Sequence, residues 1–357
     1  MKWLGKFPDP FLAEIAGQPD ALRRAAAALE ESGPTLAALE RAVANAGGVV
    51  LTGMGSSYDA CFPAVNELAS RGVSALHVDT AELVHFRSHV LRPSTVLVIV
   101  SQSGRSAEVV RLAESLTERP DPPTVLSLTN GLDNALAERS ALRLDTRVGP
   151  ESGPSTMTFA ASMAHLAAIA GVLAGDPAAG AVERAITTAE RAAASIEGIL
   201  ARAEPVAEHM ADEVRGHESV AVLGRGPARA AAEMGALTLK ESGVMAEAFS
   251  TAAFRHGPFE LVGPNLAAIV LATESETMAL DLRLAGDLVQ AGAAVAVIAG
   301  DDDAPPGALG VPVGPTDRAL GSAVSLVPIQ LLARRLASER GRDPGVYLRA
   351  TKVTTRE

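Results

Sequence analysis

The chain has 357 residues, 48% hydrophobic and only 3% aromatic, which suits two domains of Ala-rich helices packed on Val-rich strands. A formal net charge of −11 excludes sequence-independent nucleic-acid binding, which needs a basic face, and no polybasic segment invites attachment to anionic lipid. The single cysteine, Cys61, rules out an internal disulfide and a Cys-based zinc cluster and fits a reducing compartment.

Residues 1–6 run into Pro8 and Pro10 without forming a signal-peptide core, so a cytoplasmic location is expected. Residues 11–46 read as two helices: Leu12, Ile15, Leu22 and Leu29 share one side, Gly33-Pro34 interrupts, and Leu36, Leu39 and Val43 continue the stripe. Gly47-Gly48 opens a strand over 49–52, Gly53-Met54-Gly55-Ser56-Ser57-Tyr58 forms a turn, and a helix follows over 59–70. Further strands are expected at 75–78, 96–100 and 124–128. Strands alternating with helices imply a parallel sheet covered on both faces. The most apolar stretch, 158–175, contains Ser162 and His165 and is rich in small Ala, as befits a buried or subunit-interface helix and not a membrane span. Residues 178–215, rich in Ala and charge, read as connecting helices.

The segment Val98-Ile99-Val100-Ser101-Gln102-Ser103-Gly104-Arg105-Ser106 is a strand that stops abruptly at a polar loop, before helical spacing resumes at Ala107. Backbone N–H groups at a helix N-terminus, the helix dipole and small hydroxyls together make an anion cradle, and Gly104 lets backbone come close. The same pattern also makes an ordinary N-capped βα turn.

Ser219 to Gly226 repeats the apolar-strand-then-GxG plan, and Gly53 and Gly55 lie 171 positions before Gly224 and Gly226. The same offset pairs Ala60 with Ala231, Leu68 with Leu239, Gly72 with Gly243, Thr80 with Thr251 and His85 with His256, so the chain reads as two tandem copies of one α/β unit. The repeat fails at the cradle, whose counterpart is Ala272-Thr273-Glu274-Ser275 followed by Glu276. Carboxylates there would repel a phosphate, so the first copy is the one expected to hold the anion.

Three features together resemble the tandem sugar isomerase (SIS) family: the Gly55-Ser56-Ser57 turn, the Ser101-Gln102-Ser103-Gly104 loop, and the block from Leu239-Lys240-Glu241 through Ala246-Glu247-Ala248-Phe249 to Arg255-His256-Gly257-Pro258. Within that family the chain is similar to the isomerase half of glucosamine-6-phosphate synthase and to SIS-type glucosamine-6-phosphate deaminases. Glu14-Ile15-Ala16-Gly17-Gln18-Pro19, Arg105-Ser106 and the closing Lys352-Val353-Thr354 look like the deaminase branch. The resemblance implies an α/β fold of two tandem flavodoxin-like SIS domains with parallel sheets flanked by helices, in a homodimer with active sites near the subunit interface. The expected parts are N-terminal helices (1–46), a first SIS domain (47–177), a helical linker (178–216), a second SIS domain (217–335) and a tail (336–357).

Carried over by position, Ser101, Gln102, Ser103 and Ser106 hold the sugar phosphate, with Ser56, Ser57 and Ser155 lining the same pocket. Glu241 matches the general base that moves a proton between C1 and C2, and His256 the histidine that assists ring opening, supplied in relatives by the neighbouring subunit. The chemistry is coherent by itself, because aldose–ketose interconversion needs one base that serves adjacent carbons, and an imidazole titrates near neutrality. Without the resemblance, Glu241 also reads as a solvated partner of Lys240, and His256 as a structural residue at a Gly-Pro turn.

Some positions depart from the family pattern. Thr238 and Met157 stand where relatives carry lysines, and the synthase's imine-forming lysine aligns with Thr351, beside Lys352. An imine needs a desolvated, free amine, for which Lys352 is the candidate; an exposed lysine in a frayed tail is the other reading. A glutaminase half with an N-terminal nucleophilic cysteine is not expected, since Lys2 follows Met1 and Cys61 lies inside the first copy. His85 and His89 have metal-pair spacing without a companion Glu; Gly53-Met54-Gly55 and Gly224-Arg225-Gly226 lack the third glycine of a dinucleotide fingerprint; Asp301-Asp302-Asp303 lacks the later calcium ligands. No metal or cofactor is therefore expected. The expected reaction is 1,2-proton transfer on an amino-sugar or ketose 6-phosphate, coupled to deamination. The alternatives are an aldose–ketose isomerase with no nitrogen step and a non-catalytic sugar-phosphate sensor.

Overall fold

The computed structural model describes residues 9–357; residues 1–8, read above for the lack of a signal-peptide core, lie outside the described residues. The first sheet comprises β1 (Gly48–Thr52), β2 (Ala75–His77), β3 (Thr95–Val100), β4 (Thr124–Thr129) and β5 (Leu142–Asp145), in the spatial order β2-β1-β3-β4-β5. The second comprises β6 (Ser219–Leu223), β7 (Ala246–Phe249), β8 (Leu266–Ala272), β9 (Ala294–Ala299) and β10 (Leu309–Pro312), in the order β10-β9-β8-β6-β7. Every strand pair in both sheets is parallel. All residues of β3 and of β8 are buried, which explains their unbroken Val, Ile, Leu and Ala runs: a strand covered on both faces has no solvent side to mark with polar residues.

The tandem repeat is a repeat of structure. β1 and β6, β2 and β7, and β3 and β8 each begin 171 residues apart, the offset read from the sequence. The separation slips to 170 for β4 and β9 and to 167 for β5 and β10. By internal packing the chain forms two units, each with one sheet: residues 20–151, 157–191 and 349–357, and residues 9–19, 152–156 and 192–348.

In the first unit the helix Met157–Leu173 is buried almost all round, as its uniformly apolar sequence requires. In the second, Gly321–Glu339 plays the same part despite Pro328 in its interior. Among the described residues no helix is long and apolar enough to cross a membrane.

Several element boundaries differ from expectation. The N-terminal segment forms three helices, Pro10–Ala16, Gln18–Glu31 and Gly33–Val43, because the chain also breaks at Gly17. The helix after β1 is split into Ser56–Asp59 and Phe62–Ser70, since Pro63 in the first turn of the latter cannot donate a backbone hydrogen bond. After the second GxG turn the chain forms a 3-10 turn over Gly226–Ala228 and becomes α-helical over Arg229–Glu241. The connecting stretch forms Ala178–Leu200 and Ala203–Val214. His85 ends the helix Thr80–His85 and His89 belongs to a separate 3-10 turn, Ser88–Val90, so the two do not share a helical face as a metal pair would.

The Glu14–Pro19 motif has a structural part within the second unit. Glu14 accepts hydrogen bonds from the backbone N–H of Ser152 (2.6 Å) and Gly153 (3.1 Å) and from the Ser152 hydroxyl (2.9 Å). The buried Gln18 amide donates to the Ile15 carbonyl (3.0 Å) and to Gln330 Oε1 (2.8 Å) on Gly321–Glu339.

Candidate active site

β1 lies between β2 and β3, so the connections leaving β1 and β3 diverge to opposite sides. A crevice opens at their carboxyl ends, and in open parallel sheets that is where ligands bind. Ser56 and Ser57 follow β1, and Ser101, Gln102, Ser103 and Ser106 follow β3, so the fold brings these six residues to one crevice. Gly53 is required by close approach: a Cβ on it would lie 2.9 Å from the Val100 carbonyl oxygen and 2.8 Å from the Ser57 carbonyl carbon. Gly55, at φ +50, then turns the chain into Ser56–Asp59. Gly224 has the same crowding, 2.7 Å from the Ala228 carbonyl oxygen, and Gly226 the same left-handed backbone, at φ +55. The two GxG turns are thus steric features of strand–helix packing. Cys61 is buried beneath the first turn, where its thiol donates to the Ser57 carbonyl at 3.4 Å. Burial, reinforced by the Asp59 charge, pushes that thiol far up, so it stays protonated and unreactive.

The loop after β3 differs from the cradle expected of it. Gly104 N–H donates to Ser101 Oγ and Arg105 N–H to Ser103 Oγ, both at 3.1 Å. Ala107 N–H, the first of the helix Ala107–Thr117, donates to the Thr354 carbonyl at 3.0 Å. The N–H groups of Ser101 (to the Leu128 carbonyl, 3.0 Å), Gly104, Arg105 and Ala107 are therefore engaged within the protein, and the loop's hydroxyls stand beside its remaining N–H groups as donors. Ser101 and Ser103 each accept an N–H and so keep their own O–H to give away. Ser106 occupies the N-cap position with extended backbone but makes no side-chain cap bond. Gly104 also has a different reason from the one inferred: at φ +60, a Cβ would stand 1.9 Å from Asn134 Oδ1. It is the neighbouring Asn134, capping Ala135–Glu138, that demands glycine here. Glu108, in the first turn of the helix, is buried where the positive end of the dipole favours a carboxylate.

The C-terminal residues 349–357 belong to the same unit as the cradle. Besides the Thr354 contact, Glu357 accepts from Arg111 at 2.9 Å and pairs with His85, which together hold its carboxyl below the usual range, His85 contributing more. Lys352 donates to Glu151 Oε2 at 2.8 Å. Glu151, which sequence reasoning passed over as one carboxylate in a Gly-Pro-Glu-Ser-Gly loop, has a side chain 0% exposed and also accepts from Thr158 N–H (3.0 Å) and Thr158 Oγ1 (2.5 Å). Lys352 is thus neither a frayed-tail lysine nor a free amine; its ammonium is engaged in an ion pair.

The other expected site residues lie in the second unit. Glu241 is the last residue of Arg229–Glu241 and is half-buried. His256 is exposed, in the turn that follows Thr251–Phe254. Ser155 is half-buried in the segment 152–156. Neither family-lysine position supplies a cation: Thr238 is fully buried with its hydroxyl donating to the Met234 carbonyl at 2.8 Å, and Met157 is buried.

The second sheet has a corresponding crevice at the ends of β6 and β8, where charged side chains pair with one another. Arg225, after β6, donates to the buried Asp281 at 2.8 Å and also contacts Thr251, while Thr277 donates to the other Asp281 oxygen at 2.9 Å. Glu274, after β8, is buried, and desolvation pushes its carboxyl up to about 7; Arg318 opposes that shift, while Asp317 and Asp281 add to it. An entering phosphate would meet the carboxyl groups of Asp281 and Glu274 there.

Elsewhere, a groove of about 900 Å³ opens at the amino ends of β1 and β2, lined among others by Val49, Val65, Leu76, His89 and Arg92, and includes none of the cradle residues. Among the described residues no group of three or more His, Cys, Asp or Glu could hold a metal ion.

Comparison with known proteins agrees with this duplicated architecture. The SIS domain profile matches residues 42–171 and 213–338. A glutamine–fructose-6-phosphate aminotransferase (isomerizing) of Pyrobaculum aerophilum is 28% identical over 361 residues, covering 99% of this chain. The chain spans only 58% of that relative's length. Among solved structures, the C-terminal domain of glucosamine-fructose-6-phosphate aminotransferase from Francisella tularensis aligns with a TM-score of 0.83 at 20% identity, covering 95% of this chain and 98% of that one. Glucosamine-6-phosphate deaminase from Thermotoga maritima aligns with a TM-score of 0.74 at 21% identity, covering 96% and 99%.

Proposed function

The chain belongs to the SIS domain family, and from that premise we propose that it is a sugar-phosphate enzyme which moves a proton between C1 and C2 of an amino-sugar 6-phosphate and releases ammonia. The observation that carries this reading is the contrast between the two crevices. One presents serine hydroxyls from two turns, and the other carries the Arg225–Asp281 ion pair and the Glu274 carboxyl. A single phosphate seat per chain follows.

In the proposed reaction the hydroxyls of Ser101, Ser103 and Ser106 and the Gln102 amide donate to the phosphate, with Ser56, Ser57 and Ser155 lining the pocket. His256 passes a proton to the ring oxygen and opens the pyranose to an aldehyde with an amine at C2. Glu241 takes the C2 proton and returns it at C1, which converts the amino aldehyde into a 2-imine. Water adds to that imine, and the ketose phosphate and ammonia leave. Because His256 is exposed on its own chain, it suits a role at the site of a second copy in a homodimer.

The test is to incubate the protein with glucosamine 6-phosphate and measure ammonia and ketose phosphate together. Equal release of both, lost at least about a hundredfold in Glu241→Gln, is expected. No turnover by the parent protein, with Glu241→Gln indistinguishable from it, would refute the catalytic claim. Thr238 and Met157 favour one second reading, an isomerase with no nitrogen step, because both remove amines from positions where relatives have them. Solvent deuterium entering at C2 without ammonia would select it, whereas tight binding with no exchange would indicate a sensor.

A further inference from the structure

Lys352 is the one residue of the tail that the sequence offers as an imine-forming nucleophile, and its surroundings argue for another task. Its side chain is 18% exposed and its Nζ lies 2.8 Å from Oε2 of Glu151, whose side chain has no exposure at all. Both Glu151 oxygens are taken: Oε1 by the Thr158 N–H, Oε2 by the Thr158 hydroxyl and by Lys352. A proton moved from Nζ onto Oε2 would displace one of these donors. Two residues further on, the Thr354 carbonyl accepts from Ala107 N–H, directly after Ser106. The Lys352 amino group is therefore held by Glu151, on a tail that also contacts the first turn of the cradle helix.

We propose that Glu151 is a positioning residue that fixes the Lys352 amino group in an ion pair on the tail that packs against the cradle helix, and that Lys352 binds the anionic substrate as a charge and forms no covalent imine. This rests on the reading that the cradle takes a sugar phosphate. A fixed ammonium compensates a chain that lacks lysine at 157 and 238, and it leaves proton transfer to other groups. Arginine can replace a charge but cannot form an imine, so the conservative substitution separates the two roles.

The experiment has two arms. Wild-type protein is incubated with fructose 6-phosphate and borohydride, and intact mass and peptide mapping are read for an adduct. None is expected on Lys352, and a reduced adduct there overturns the inference. In parallel, binding of fructose 6-phosphate is measured by calorimetry, and KM and kcat are determined for the turnover substrate. Lys352→Arg should stay within about threefold of wild type, while Lys352→Met should weaken binding and raise KM about tenfold with kcat much less affected. Glu151→Gln should weaken binding similarly, with partial recovery in Glu151→Asp. If Lys352→Arg is as defective as Lys352→Met, the inference fails even should Glu151→Gln prove unstable. Failure of the wild type to bind fructose 6-phosphate at all sinks the sugar-phosphate reading and this inference together; binding accompanied by a Lys352 adduct sinks this inference alone.

Discussion

Replacing His165 by leucine removes a group that the first unit must bury uncharged. The ring is 0% exposed on Met157–Leu173; Nδ1–H donates to the Ala161 carbonyl at 3.0 Å, and Nε2 meets no donor. Burial lowers the imidazole from 6.5 to about 4, against small opposing contributions from the Ala161 hydrogen bond and the Asp145 charge. Since the folded value lies below the unfolded one, the unfolded chain binds a proton first as pH falls. Stability is therefore intact above about pH 6.5 and is lost as pH drops toward 4. At about 1.4 kcal/mol per pH unit, the group accounts for about 2 kcal/mol between pH 7 and pH 5 and about 3 kcal/mol in full. Leucine is close to histidine in volume. It forfeits one helical side-chain bond and relieves one orphaned nitrogen, two effects of about 1 kcal/mol each and independent of pH. Urea unfolding of both proteins at half-unit intervals from pH 7.5 to 4.5 isolates the contribution, because all other titrating groups cancel in the difference. The stability of His165→Leu relative to wild type should rise by about 2 kcal/mol from pH 7 to pH 5. Parallel curves over that interval would show that the imidazole is not held neutral and would refute the reasoning.

Glu274 should act with the opposite sign. Its carboxyl is raised from 4.5 to about 7, so the wild type loses stability as pH rises through that interval. Glu274→Gln should be the more stable protein above pH 7, by on the order of 1–2 kcal/mol after solvent screening, with melting temperatures converging below about pH 4.5. Gly104→Ala should cost at least about 2 kcal/mol, from the left-handed backbone and the overlap with Asn134, and should abolish sugar-phosphate binding. Thermal melts and calorimetric titration check both halves; a variant that melts and binds like wild type would mean that the loop has another conformation.

The fold was legible because its signals are local and repeated. The buried strands β3 and β8 are continuous aliphatic runs, the GxG turns recur at one offset, and the offset holds through the third strand of each sheet. Of the second copy only β6 is named as a strand in the sequence reading; β8 and β9 follow from the repeat, whereas β5, β7 and β10 carry no such run. That the six proposed cradle residues follow the carboxyl ends of two neighbouring strands was legible as well, since a strand ending in a serine-rich loop needs only the strand order to become a crevice. Tertiary structure alone decided which donors that crevice has free. Backbone N–H groups are claimed by Ser101, Ser103 and the Thr354 carbonyl, the last of these 247 positions beyond Ala107. Glu151 and Lys352, 201 positions apart, each look like solvated surface charges in sequence; only the packing of residues 349–357 back onto the first unit makes them an ion pair with a buried carboxylate. Periodicity records which face of an element is buried, because burial acts on every residue along it. Ion pairs between distant segments leave no such periodic trace, and so the sequence could name Lys352 but not what holds it.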